Sequence, residues 1–227
     1  MKTKTLGLIT SLALLFGASL KAQDGRLRYY EFGVVGGVST MKTLISDDPG
    51  VSPFLDEARP TVGVFGRYHF NDWFGLGAEM NYGSFYANDA NHSNPGRGLA
   101  ASTEVLQGLG FFEIHLLKFG KYHLDDRFSL FIKAGGGAVA YNPEVSLPQK
   151  LPDFYEINPG AALNFGYFGG LGAKYRLGYH SILAFEFRAG NTGGDLMEGV
   201  LNTQENADNG PDTYSTFLLS YSYAIFD

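Results

Sequence analysis

Two small groups of residues have side chains that could carry out catalysis. Asp89, His92 and Ser93 lie within five positions of one another and have the residue types of a hydrolase or an acyltransferase. Glu113 and His115 alternate along one strand-like stretch and could act as a general acid–base pair. A catalytic triad is defined by its geometry, however, which closeness in sequence does not specify. We therefore expect structural roles for these residues and predict that the protein is not an enzyme.

Metal and cofactor chemistry is also weakly represented. Five acidic residues in loop-like stretches could bind calcium, but they do not have EF-hand spacing: Asp47, Asp48, Asp125, Asp126 and Asp208. The glycine runs at 135–137 and 169–170 lack the strand-to-helix context of a phosphate-binding loop. The absence of cysteine excludes disulfides, thiolate metal sites, cysteine nucleophiles and a lipoprotein anchor. The sequence predicts no metal site and no cofactor.

Composition places the chain among β-rich proteins rather than soluble helical ones. It has 227 residues, of which 31 are glycine, 15% are aromatic and only 18% are charged. The net charge of −6 gives no basic surface for nucleic acid, so we exclude that class of partner. The length suits a single all-β barrel better than two small domains.

The first 22 residues have the pattern of a secretory signal peptide. Lys2 and Lys4 precede an apolar stretch at 6–16, and mostly small residues follow up to Ala22. An amphipathic helix retained at the N-terminus is the alternative. The rest of the chain contains no run of about 20 apolar residues that could form a transmembrane helix. We therefore divide the chain into a signal peptide, 1–22, and one barrel domain, 23–227.

The remaining sequence is built from strands of alternating polarity. The clearest stretch is 59–83, in which two alternating runs of about ten residues flank an Asn71-Asp72 turn and predict a β-hairpin. Strands of this length suit a tilted crossing of a bilayer. Eight strands are predicted in all: 28–40, two in the hairpin 59–83, 103–117, 127–140, 164–177, 182–190 and 213–226.

The connections between these strands alternate in length. Long polar stretches at 41–58, 87–100, 141–161 and 191–212 alternate with short ones at 71–72, 118–126 and 178–181. This asymmetry is typical of bacterial outer-membrane barrels, which have short periplasmic turns and longer extracellular loops. The sequence predicts an eight-stranded antiparallel transmembrane β-barrel of the outer-membrane type, contacting outer-membrane lipids, with both termini in the periplasm. A soluble lipocalin-type barrel has the same alternation with its apolar face turned inward.

If the apolar face contacts lipid, the opposite face supplies a charged interior. Because buried charges must be paired, we expect an ion network that fills the narrow lumen and leaves no solute channel. The predicted interior residues are Glu31, Arg67, His69, Glu79, Glu113, His115, Lys133, Lys174, Arg176, Glu186 and Arg188.

Five segments occur in a characteristic order along the chain: 31–37 (EFGVVGG), 59–83, 135–145 (GGGAVAYNPEV), 170–178 (GLGAKYRLG) and 186–190 (EFRAG). In this order they resemble small outer-membrane barrels of the Bacteroidota, and among them the PorG-like component of the type IX secretion system. The chain departs from that pattern at 39–41, where Ser-Thr-Met replaces a Gly-Asp pair, and after the seventh strand, where an Asp-rich segment is replaced by GNTGGDLMEGV.

This resemblance implies an accessory role: a barrel that anchors periplasmic secretion lipoproteins at the outer membrane. The candidate contacts on the periplasmic turns are Asn71, Asp72, Tyr122 and Tyr179. The alternatives are an accessory subunit of another outer-membrane complex, for barrel assembly or nutrient uptake, and a stand-alone surface barrel used in adhesion. No separate peptidoglycan-binding domain is expected after the last strand.

Overall fold

Eight long strands close into an antiparallel barrel. The computed structural model describes residues 28–43, 45, 55–92, 98–120, 123–146, 155–157, 160–194, 197, 199–202 and 212–226. The barrel strands are β1 Tyr29–Lys42, β2 Arg59–His69, β3 Phe74–Asn88, β4 Ala100–His115, β5 Phe128–Ser146, β7 Ala162–Arg176, β8 Ser181–Asn191 and β10 Thr213–Phe226. Each pairs with its neighbour along the chain, and β1 pairs with β10 to close the barrel. The predicted fold class is confirmed. The predicted signal peptide, 1–22, lies outside the described residues.

The register of the strands sets the shape of the barrel. Following paired residues once around the barrel leads from Tyr29 to Ser39 on the same strand, a stagger of ten residues. Ten residues span about 33 Å and eight interstrand spacings about 38 Å, so the strands tilt by roughly 40° from the barrel axis. This tilt explains why strands of 11 to 19 residues are needed.

The two faces of the barrel differ as an outer-membrane barrel requires. On β1, Phe32 and Val34 are more than half exposed, whereas Glu31 and Ser39 are buried in the lumen. The same alternation continues on the other strands, with large apolar side chains outside and charged ones inside. A soluble lipocalin-type barrel would turn its apolar side chains into the lumen and its charged ones outward. That alternative is therefore wrong. Among the described residues, no helix is long and apolar enough to cross a membrane.

The long connections contain more regular structure than the sequence indicates. Strand β5 continues through Pro143 to Ser146, β3 reaches Asn88, and a 3-10 turn follows at Asp89–Asn91. Two short strands, β6 (Tyr155–Ile157) and β9 (Val200–Asn202), pair with each other. The predicted loops at 87–100, 141–161 and 191–212 were therefore too long. At these strand ends the outer face becomes polar, so the apolar alternation that identifies a membrane strand stops before the strand does.

An apolar core fills the lumen at the end of the barrel that carries the long connections. It joins inward residues of the strands, such as Phe85 and Val139, to Leu99 and Met197 from the connections. Thr103 Oγ1 donates a hydrogen bond to the Met197 carbonyl, and Met197 N donates one to Asp212 Oδ2 at 2.8 Å. The connection between β8 and β10 is thus fastened inside the barrel.

Aromatic rings in the lumen lie over glycines on the neighbouring strand. Gly77 faces Phe111 directly across the β3–β4 ladder, and a Cβ added to Gly77 would lie 2.5 Å from Phe111 Cζ. The same arrangement pairs Gly33 with Phe65 and Gly135 with Phe168. These glycines leave the space that inward-pointing rings need in a narrow barrel.

We predict that Gly77→Ala destabilises the barrel by roughly 1–3 kcal/mol, because the new methyl overlaps the Phe111 ring and the Gly66 carbonyl. The measurement is the urea midpoint of unfolding in lipid vesicles, followed by the mobility difference between boiled and unboiled samples. Gly108→Ala is the matched control, since an added Cβ there meets no atom within 4 Å. Equal midpoints for the two variants would contradict the packing argument.

Candidate functional site: the charged lumen and the two barrel ends

The predicted interior residues all lie in the lumen, and ten of the eleven form two ion clusters. The turn-side cluster, nearest the short turns, is Glu31, Arg67, His69, Glu113, His115 and Lys174. The mid-barrel cluster is Glu79, Lys133, Glu186 and Arg188. The eleventh residue, Arg176, lies closer to the short turns, apart from both clusters.

Two carboxylates organise the turn-side cluster. Glu113 Oε1 accepts hydrogen bonds from Lys174 Nζ at 2.6 Å and from Arg67 Nη1 at 3.1 Å. Glu31 is held by Ser222 Oγ at 2.6 Å and by His69 Nε2 at 2.8 Å. Two carboxylates therefore face one arginine and one lysine. Removing such charges from water is costly, and close pairing offsets that cost.

The mid-barrel cluster is similarly balanced. Lys133 Nζ bridges Glu79 Oε2 at 2.7 Å and Glu186 Oε2 at 3.1 Å. The Arg188 guanidinium binds the same two carboxylates, with Nη1 on Glu79 and Nη2 2.9 Å from Glu186 Oε1. Asn81 Nδ2 donates a further hydrogen bond to Glu79 at 2.8 Å. Each of the two carboxylates is thus shared by the same two cations.

Aromatic rings fill the space between the two clusters. Phe111 lies 4.0 Å from Lys133 Nζ in the mid-barrel cluster and 5.6 Å from Arg67 Cζ in the turn-side cluster. The Phe168 ring lies 4.1 Å from Arg188 Cζ. Cation–π attraction adds to the ion pairs here, since the rings are buried beside the charges. Charges and rings together occlude the described lumen.

Arg176 is held at the end of the lumen beside the short turns. Its guanidinium lies 4.5 Å from the centre of the Phe119 ring and donates to the carbonyls of Gly120 and Tyr179, both at 3.3 Å. Phe119 itself is fully buried and packs with Tyr29 and Ile182. The connection between β4 and β5 therefore inserts a ring into the mouth of the barrel, which the alternating pattern could not reveal.

The acid–base alternative for Glu113 and His115 does not fit this geometry. The two side chains are 2.8 Å apart, but both are buried and the carboxylate is already bound by Arg67 and Lys174. A general base must reach a proton on a substrate. The described lumen gives this pair no access to one.

The candidate contact residues on the short turns have different environments. Asn71 and Asp72 are buried: Asn71 Oδ1 accepts from the amides of Trp73 and Phe74, and the Asp72 carbonyl accepts from Phe119 N at 3.2 Å. The Asn71 side chain thus caps the turn, whereas the Asp72 carboxylate lies 3.4 Å from His123 Nε2 in the connection between β4 and β5. Tyr179, by contrast, is 53% exposed, and Trp73 beside the buried pair is 39% exposed. Tyr122 lies outside the described residues.

The side chains of Asp89 and His92 each bind another part of the chain. His92 Nε2 lies 2.8 Å from Glu57 Oε1, whereas Asp89 Oδ2 accepts a hydrogen bond from Leu99 N at 2.9 Å. All three polar side chains are buried. The Glu57–His92 contact joins the connections before β2 and after β3, and Asp89 joins the two ends of the connection after β3. Glu57 was not singled out from the sequence, because nothing in its spacing marks it. Ser93 lies outside the described residues.

The described residues contain no cluster of three or more His, Cys, Asp or Glu side chains that could hold a metal ion. Asp125 and Asp126 are exposed, while Asp47, Asp48 and Asp208 lie outside the described residues.

Comparison with known proteins identifies the family. A family model described as an outer membrane protein beta-barrel domain matches residues 10–224. The chain belongs to this family. No curated protein is significantly similar to it in sequence.

Solved structures of small outer-membrane barrels are similar to the chain. Ail, the attachment invasion locus protein of Yersinia pestis, solved with the heparin analogue sucrose octasulfate, is 10% identical, with 87% of this chain and 97% of Ail covered and a TM-score of 0.44. A major outer membrane protein of Thermus thermophilus is also 10% identical, with coverages of 86% and 99% and a TM-score of 0.47. The outer membrane enzyme PagL is 14% identical, with coverages of 85% and 97% and a TM-score of 0.35. The family assignment rests on the family model.

We predict that Lys133→Met destabilises the barrel by about 3 kcal/mol or more, because it leaves the mid-barrel cluster with an uncompensated buried carboxylate. The double variant Lys133→Met/Glu186→Gln restores the charge balance and should recover part of that loss. Urea unfolding in vesicles measures both. Lys42→Met, at an exposed position on β1, is the control and should change stability by less than about 0.5 kcal/mol. A double variant no more stable than the single one would contradict the charge-balance argument.

Proposed function

We propose that this protein is a non-enzymatic accessory subunit that anchors an outer-membrane protein machine, and that the machine is the type IX secretion system. In this proposal the short turns face the periplasm and bind the periplasmic part of the machine. The membrane-spanning barrel supplies the anchor.

The occluded lumen is the observation that carries the proposal. The turn-side and mid-barrel clusters, the rings between them and the apolar core occupy successive levels of the lumen. A solute crossing the barrel would have to break each ion cluster in turn, and each pair opened would leave buried charges unpaired. A role carried out at the surfaces is therefore favoured over transport through the lumen.

The turn end offers a fixed surface for such a role. The exposed Tyr179 ring packs edge-on against His180, with centroids 4.6 Å apart, and against Phe226 at 5.3 Å. The backbone carbonyl of Tyr179 accepts a hydrogen bond from the buried Arg176. An exposed aromatic ring that is already ordered loses little conformational entropy on binding, and such rings are frequent at interface hot spots.

The specific assignment to secretion rests on the resemblance of the segments 31–37, 59–83, 135–145, 170–178 and 186–190 to PorG-like barrels. The runner-up is an accessory subunit of a barrel-assembly or nutrient-uptake complex. The occluded lumen and the exposed turn support this alternative equally. A stand-alone surface barrel is the third possibility.

We predict that tagged protein, purified from detergent-solubilised outer membranes, recovers periplasmic secretion lipoproteins. Tyr179→Ala should reduce that recovery roughly tenfold, the effect of losing about 1.4 kcal/mol at an interface hot spot. Leu55→Ala is the matched control, since Leu55 is 69% exposed but precedes β2 at the opposite end of the barrel.

The identity of the recovered proteins separates the proposals. Recovery of assembly or uptake subunits would replace the secretion assignment with the runner-up. Recovery of the tagged barrel alone would contradict both partner proposals and favour the stand-alone barrel.

The enzyme alternative has its own test. We expect the purified, folded protein to show no turnover of ester or lipid substrates, because the described His92 is bound by Glu57 in a buried loop contact. Turnover that is lost in both His92→Ala and Glu57→Gln, with the barrel still folded by gel mobility, would overturn the non-enzymatic assignment.

A further inference from the structure

A small cavity with a mixed polar and apolar lining lies in the lumen between the mid-barrel cluster and the apolar core. Its volume is about 10 Å³. Arg188 borders it on the charged side, and Phe85, Val105 and Leu218 border it on the apolar side. Polar side chains from five strands complete the lining: Ser39, Thr61, Asn81, Gln107 and Thr216. We refer to these five residues as the polar belt.

Two buried polar atoms of the belt have unused hydrogen-bonding capacity. Asn81 Oδ1 is an acceptor with no partner among the described residues, and Gln107 Nε2 has two protons to donate, of which the neighbouring Tyr214 hydroxyl can accept only one. The two residues face each other across the β3–β4 ladder, and both line the cavity. The amide orientation of Asn81 is set by its own Nδ2, which donates to Glu79 Oε1 at 2.8 Å. An unused acceptor and an unused donor proton therefore border one cavity.

The three hydroxyl groups of the polar belt supply one further hydrogen-bond donor. Ser39 Oγ lies 3.0 Å from Thr61 Oγ1 and 3.2 Å from Thr216 Oγ1. A hydroxyl has one proton to donate, so the two contacts of this three-membered chain use two of its three protons. One hydroxyl proton therefore remains available for an acceptor in the cavity.

We propose that a single ordered water molecule occupies this cavity and completes the polar belt. The water donates to Asn81 Oδ1, accepts from Gln107 Nε2 and accepts the remaining hydroxyl proton of the Ser39–Thr61–Thr216 chain. Buried waters typically make about three hydrogen bonds to otherwise unpaired polar groups, and a cavity of roughly 10–15 Å³ holds one. The volume and the number of unused groups both match one water molecule.

This water has a definite place in the architecture of the lumen. It lies where Arg188 and its carboxylates give way to Phe85 and Val105. The bound water lets the protein change from charged to apolar packing at this level without leaving buried polar groups unsatisfied.

The test is a crystal structure of the refolded full chain at a resolution that shows ordered solvent. The expected result is one solvent peak within about 3.2 Å of both Asn81 Oδ1 and Gln107 Nε2. Gln107→Met should lose the peak. Val105→Thr, which alters another lining residue without changing either side-chain amide, should retain it.

Two outcomes would overturn the proposal. One is a structure in which Gln107 Nε2 donates directly to Asn81 Oδ1, with no solvent peak. The other is a peak that persists unchanged in Gln107→Met.

If Gln107→Met does not fold, the same question is answered by NMR on the natural protein in detergent micelles. A cross-peak between the Gln107 side-chain amide protons and the water resonance supports the site. Its absence, with the amide cross-peaks to Asn81 intact, rejects it.

Discussion

The pairing of β1 with β10 is the interaction on which the rest of the structure depends. It joins fourteen residue pairs, from Tyr29 with Phe226 to Lys42 with Thr213. In a hydrocarbon environment an unpaired strand edge would leave several backbone groups unsatisfied, each at a cost of several kcal/mol. Closure of the eight strands requires a consistent stagger, here ten residues, and it turns every alternate side chain into the lumen.

A closed barrel of this size leaves an interior that only side chains can fill. The inward positions combine charged groups with large rings, and glycines such as Gly77 lie where a ring crosses the neighbouring strand. The polarity of the interior follows from the outside: if one face of each strand is apolar for lipid, the charges must lie on the other. Pairing then becomes obligatory, and Lys133 and Arg188 each bind two carboxylates.

The sequence predicted the features that depend on alternation and missed those that depend on contact between distant segments. Period-two patterning is local, so the inward position of residues such as Glu31 and Arg67 could be read directly. Which carboxylate each cation binds depends on the stagger, which no local pattern encodes. The insertion of Phe119 and Met197 into the lumen was missed because both come from connections without periodicity. Asp72 illustrates the same limit: the turn was recognised, but the contacts of Asp72 with Phe119 and His123 come from the connection between β4 and β5.

The ion clusters also bear on how the barrel folds. Ser222 and Glu31 form a hydrogen bond across 191 positions of the chain, and Arg188 binds Glu79 across 109. Loop-closure entropy must be lost before such long-range contacts provide any stabilisation, which makes folding slow. In a partly formed sheet the lumen is not yet enclosed, and most of these charged side chains lack the strands that carry their partners. We therefore expect the clusters to form in the same step as closure, so that the barrel forms in a single cooperative transition rather than strand by strand.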